Sequence, residues 1–222
     1  MWPWSKKPPD ATPGLRETLF GDMPLSTWAA DKEGEPWTAF ATAESALQRG
    51  DPSQATRVLE SIIQRTGLES RHYLQAWNVL RQLGHVVPSG DAKHVCGVVV
   101  DVPVKSGFDT LAAYEDRSAR YLNFSGAAVV WEAPDSRMDD QIRSLLTAGQ
   151  SLAMLIGPWE GARPPLTPGQ ARISLLTPSG LHFGQGPFDA FARDPMAAPV
   201  IAAATSLMQS LLQVADARHG TA

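Results

Sequence analysis

Cysteine is nearly absent from this chain. Cys96 is the single one among 222 residues, which excludes an internal disulfide and fits a reducing compartment, so a cytoplasmic location is expected. Clustered cations are also missing. The longest Lys/Arg run is the pair Lys6–Lys7 and the formal net charge is −4, which argues against the phosphate-neutralising footprint of a nucleic-acid-binding protein. The stretch MWPWSKKPPDATPG holds no apolar segment of signal-peptide length. Its two indoles, Trp2 and Trp4, beside Lys6 and Lys7 make a weak membrane anchor, so it reads as a Pro-rich tail. The catalytic signatures Gly-x-Ser-x-Gly, His-Glu-x-x-His and Cys-x-x-Cys are absent, and no Lys-Ser/Thr follows a glycine-rich loop. What is present is the composition of a globular protein, 43% hydrophobic and 19% charged. A chain of this length buries roughly 70% of its unfolded surface and needs no metal or disulfide staple; with no cofactor motif and no metal-ligand spacing in the sequence, neither cofactor nor metal is expected.

One long uncharged run stands out, PMAAPVIAAATSLMQSLLQVA at 195–215. It approaches the length of a bilayer span. Thr205, Ser206, Gln209 and Gln213 gather on one helical face, however, and Val200, Ala204, Leu207, Met208, Leu211 and Ala215 on the other. That stripe predicts a terminal helix packed on a core, and no membrane span.

Residues 1–36 are rich in Pro, Gly and Trp and read as irregular, with Trp28 and Trp37 as packing anchors. Residues 37–89 form a helical segment of three short helices. Gly50, Gly67 and Gly84 stop them, Asp51 caps the second with Pro52 in its first turn, and Ser70 caps the third. Their inward faces are Trp37, Phe40, Ala43 and Leu47; Ala55, Val58, Leu59, Ile62 and Ile63; and Tyr73, Leu74, Trp77, Leu80 and Leu83. Within it, ALQRGDPSQATRVLESII (46–63) resembles the middle of a tetratricopeptide repeat. Gly50 sits at the turn, Ala55 at the close helix approach, and Leu59 and Ile62 in the groove. The likeness spans about one repeat within 37–84, and one repeat cannot build the concave groove of an array.

GHVVPSGDAKH (84–94) has linker composition and marks a boundary near residue 90. Beyond it, residues 90–222 read as an α+β domain. Strands are expected in HVCGVVVDVPV, DTLAAYE, ARYLNF, AAVVWEA, LAMLIGPWE, ARISLLT and LHFGQ, with a two-residue hairpin at Ser125–Gly126. SRMDDQIRSLLTAGQ (136–150) supplies a helix, with Asp135 as its cap and Asp139 and Asp140 favouring its start. The order predicts an antiparallel sheet covered by helices. As an arrangement of elements it is similar to profilin-like and roadblock-like modules, and arrangement alone carries no function.

The segment LLTPSGLHFGQGPF (175–188) looks most like a site. Gly180, His182, Gln185 and Gly186 are its ligand-binding candidates, because bare backbone lies beside an imidazole and an amide. The competing reading makes the glycines a bulge or strand exit. Strand alternation sets His182 opposite Leu181 and Phe183. A hydrolytic triad from Ser125 or Ser179, His182 and Asp109 has no supporting motif. His94 and Cys96 point the same way, but neither they nor His72, His85 and His182 carry metal-ligand spacing. In the excursion 156–169, Trp159 and Arg163 are protein-contact candidates, with Trp159 either displayed or folded as a lid over the sheet edge. Together these features favour a non-enzymatic interaction or accessory protein with a protein partner. A small-ligand-binding or hydrolytic domain around His182 is the alternative. An uncovered sheet edge or terminal helix leaves room for a homodimer.

Overall fold

The computed structural model of the protein describes residues 14–30 and 32–219; the tail with Trp2, Trp4, Lys6 and Lys7 lies outside the described residues. Two four-residue helices, α1 (Gly14–Glu17) and α2 (Leu25–Trp28), interrupt the stretch expected to be irregular. Three longer helices follow: α3 (Trp37–Gln48), α4 (Pro52–Ile63) and α5 (Ser70–Gln82). The Asp51 carboxylate accepts the Gln54 N–H at 2.9 Å, and Pro52 fills the first turn of α4. Ala55, Leu59 and Ile62 are buried in one cluster with Phe40, Ala43 and Ala46 of α3 and with Trp28 of α2. Ser70 does not cap α5. Glu69 stands at that position, and Ser70 Oγ accepts the Asp116 N–H instead, so the hydroxyl serves a contact 46 residues away.

The rest of the chain forms β1 (Gly97–Val104), β2 (Gly107–Tyr114), β3 (Ala119–Leu122), β4 (Ala128–Trp131), α6 (Asp139–Ala153), β5 (Gln170–Thr177), β6 (Gly180–Pro187), α7 (Phe188–Phe191) and α8 (Ala198–His219). The six strands make one antiparallel sheet in the order β4-β3-β2-β1-β5-β6, so the fold is α+β. LAMLIGPWE is not a strand: Leu152 and Ala153 close α6, and the remainder is loop. The helix runs on because its buried stripe, Ile142, Leu145, Gly149, Leu152 and Ala153, keeps helical spacing to its end. The Ser125–Gly126 turn is wider than two residues. Asn123 Oδ1 accepts from the Ser125 and Ala127 amides and the Ser125 hydroxyl and so organises it. Asp135 caps no helix, because Arg137 takes its carboxylate through both main chain and guanidinium.

Strand alternation divides the sheet into two buried faces. Val98, Val100, Ile173 and Leu175 pack under α6 and α8 with Ile142, Leu145, Val200, Leu207 and Leu211. Cys96, Val99, Ala112, Tyr114 and Leu176 pack against Leu74 of α5 and Leu19. Burial on both sides is why β1 reads as a nearly unbroken apolar run. Among the described residues α8 is long and apolar enough to cross a membrane, and its Val200, Ile201, Ala204, Leu207 and Leu211 are buried in the protein core.

Candidate functional site

A cleft of about 570 Å³ opens where the β5–β6 hairpin meets α5 and the segment 17–24. The excursion 156–169 reaches it by a main-chain anchor: the Trp159 N–H donates to Leu181 O on edge strand β6 at 2.6 Å. The loop then crosses the sheet, where the Pro164 and Pro165 carbonyls accept from the Arg172 and Gln185 side chains. The Trp159 indole stands edge-on to Phe183, with ring centroids 5.1 Å apart, and its Nε1 donates to Ala162 O at 3.2 Å. The side chain stays 49% exposed, so one ring both covers Phe183 and presents a face to the cleft.

Arg163 enters from the same loop. Its guanidinium lies 3.6 Å from the Phe20 ring centroid and 3.2 Å from the Asp22 carboxylate. The ion pair lacks hydrogen-bond alignment, which leaves the buried Nη1 without an acceptor. Burial pushes the Asp22 carboxyl up in spite of Arg163. Across the cleft, Arg81 donates to Pro178 O at 2.5 Å and to Asn78 Oδ1 at 3.3 Å, and burial pulls its guanidinium down. The bare backbone of Gly180, at φ +122°, lies against that guanidinium. Gly180, Trp159 and Arg163 thus line one cleft, joined by Arg81, Phe20 and Asp22. The last three come from parts of the chain with no local signal of a site.

His182, Gln185 and Gly186 do not join it. His182 is 0% exposed and lies on the α6–α8 side of the sheet, opposite Leu175. Gln185 faces the other side, accepting from Arg172 Nε (3.1 Å) and Nη2 (2.8 Å) and donating to Gln170 Oε1 (2.6 Å). A shared His182–Gln185 ligand site is therefore excluded by the strand's own two-residue period. Gly184 and Gly186 leave room for the Phe191 ring of α7, which lies 3.5 Å from where either Cβ would stand. Their bareness serves packing.

His182 nonetheless has chemistry around it. Its Nδ1 is 3.2 Å from Ile156 O and its Nε2 is 3.1 Å from Ser179 Oγ. A carbonyl only accepts, so Nδ1 carries the proton and Nε2 accepts from Ser179. Burial lowers the imidazole pKa and keeps the ring neutral. Ser179 Oγ also lies 2.9 Å from Thr177 Oγ1, which is 2.9 Å from Gly180 O, so two hydroxyl protons serve three contacts inside the turn. Asp109 is not a third member. It is held by the Tyr121 hydroxyl (2.5 Å) and the Phe124 N–H (2.8 Å), and Ser125 is held by Asn123.

The histidines weighed as metal ligands are dispersed. His72 is buried among Trp28, Trp37 and Phe40, and His85 sits beside Glu60 at 3.6 Å. His94 and Cys96 lead into β1, and the antiparallel register sets Glu115 beside them, with its N–H donating to Cys96 O at 3.1 Å. Glu115 carried no signal in the sequence, because only strand pairing makes it their neighbour.

No protein-family model matches the chain, and no curated protein or solved structure matches it either.

Proposed function

We propose that the protein is a non-enzymatic cytoplasmic interaction protein whose cleft between Trp159 and Arg163 receives a short segment of a protein partner. One observation carries the reading: four separated stretches of chain bring Trp159, Arg163, Gly180, Arg81 and Phe20 around a single cleft. Tryptophan and arginine dominate binding hot spots, because each joins a large contact area to a fixed donor. The Arg81 and Arg163 guanidinium groups on the cleft wall suit a carboxylate or main-chain carbonyl, and the exposed Trp159 face suits an apolar neighbour of that group. The tetratricopeptide-like pair α3–α4 serves here as scaffold: it packs on α5, which supplies Arg81 to the cleft.

Selection from a random peptide library tests this. Peptides joining an acidic group to an apolar side chain should be enriched. Trp159→Ala and Arg163→Ala should each weaken them about tenfold or more, in line with loss of a hot spot. Arg143→Ala, far out on α6, should leave binding unchanged. An enriched class indifferent to both cleft variants, or no enrichment, would sink the proposal.

A second reading, a small-ligand-binding or hydrolytic domain around His182, is favoured by the Ser179–His182 contact. In it Ser179 Oγ is the nucleophile and His182 the base, oriented by the Ile156 carbonyl. The interaction reading predicts no labelling of Ser179 by a fluorophosphonate. Stoichiometric labelling that is lost in His182→Ala would transfer the assignment to acyl chemistry.

A further inference from the structure

At the start of β1, where Cys96 packs on the face away from α6 and α8, three donor types converge: the His94 imidazole, the Cys96 thiol and the Glu115 carboxylate. One donor atom of each lies within 4.8 Å of the other two. His94 Nε2 is already 3.0 Å from both Glu115 oxygens. Two of the donors stand on paired backbone: the Cys96 N–H donates to Leu176 O, and the Glu115 N–H donates to Cys96 O. Their spacing is therefore held by the sheet. We propose that His94, Cys96 and Glu115 form a binding site for one zinc-class divalent cation.

The donor set selects the ion. Nitrogen, sulfur and oxygen together suit a borderline cation such as Zn²⁺ or Co²⁺, whereas Mg²⁺ and Ca²⁺ demand oxygen alone. Tetrahedral bonds of about 2.0–2.3 Å place neighbouring donors about 3.3–3.8 Å apart. The cluster closes to that spacing by rotation of His94 and Glu115, whose side chains are 49% and 55% exposed, over a Cys96 fixed in the core. Three protein ligands leave a fourth position. It opens on a cleft of about 970 Å³ that also has Tyr73, Trp77, His85 and Asp91 in its walls, so an exchangeable water or ligand completes the shell. A thiol ligates a metal as its thiolate, so binding through Cys96 releases a proton.

The test uses the full chain, treated with chelator and titrated with Co²⁺ and then with Zn²⁺. One equivalent of Co²⁺ should bind, with the visible bands of a tetrahedral ion and a thiolate-to-metal charge-transfer band in the near ultraviolet. Zn²⁺ should abolish both. Cys96→Ser should remove the charge-transfer band, and His94→Gln and Glu115→Gln should each weaken binding at least tenfold. The last two positions are exposed, so their variants keep the fold, checked by circular dichroism, even if Cys96→Ser does not. The proposal is overturned if no saturable binding occurs tighter than about 10 µM. It is equally overturned if binding gives no thiolate band, or persists unchanged in His94→Gln and Glu115→Gln.

Discussion

His72 shows what one residue can do to the pH response of the whole fold. Its ring is 5% exposed among Trp28, Trp37 and Phe40, and neither ring nitrogen has a hydrogen-bond partner. Burial, the leading cause, pulls its pKa from 6.5 to about 4. The unfolded chain therefore takes up this proton near pH 6.5 and the folded chain only near 4. Between those values the unfolded state binds more protons, and stability falls as pH falls, by up to about 1.4 kcal/mol per pH unit. Buried His182, shifted the same way, adds to the slope, so the informative quantity is a difference between proteins. Urea unfolding at pH 7, 5.5 and 4.5 should show a shallower loss in His72→Phe than in the parent. Equal slopes would remove His72 as a source. The same residue scale explains why Ser70 and Asp135 are not the helix caps their types suggest: Asp116 and Arg137 compete for them more effectively.

Among the elements, α6 lies tightly against the sheet at Gly149. A Cβ at Gly149 would stand 2.6 Å from Val98 Cγ2 and 3.2 Å from Leu175 Cδ2. Helix propensity favours alanine over glycine by about 1 kcal/mol, but the side chains beneath would have to give way. Gly149→Ala should destabilise the protein by about 1–3 kcal/mol, measured as a lowered urea midpoint with unchanged m-value. A gain in stability would show that α6 can lift off the sheet freely. The helices and strands themselves were largely legible, since periodicity and capping are local: Asp51, Ala55, Leu59 and the stripe of α8 hold the places their spacing implied. LAMLIGPWE misled because a short apolar run suits a helix end as well as a strand.

At the scale of the molecule, the helical segment and the sheet are joined by buried contacts. Leu74 of α5 is 4% exposed, in one cluster with Leu19, Cys96, Val99 and Tyr114. Around it the Asp116 carboxylate accepts the Ser70 N–H at 2.7 Å, and Arg81 binds Pro178 O. Such a joint makes unfolding of the two parts cooperative. Calorimetry should give one transition with equal calorimetric and van't Hoff enthalpies. Leu74→Ala should lower it as a whole, at a cost of about 2–5 kcal/mol. Two resolved transitions would mean that the parts fold independently.

The sequence by itself determined the α+β class, most of the elements, which face of α8 carries its buried stripe and the separation of His182 from Leu181 and Phe183, because each follows from spacing within a few residues. Tertiary structure decided which functional groups meet. Arg81 reaches Gly180, Arg163 reaches Phe20 and Asp22, and Glu115 reaches Cys96 only through helix docking, loop crossing and strand register. Those contacts join residues far apart in the chain, and no local pattern encodes them.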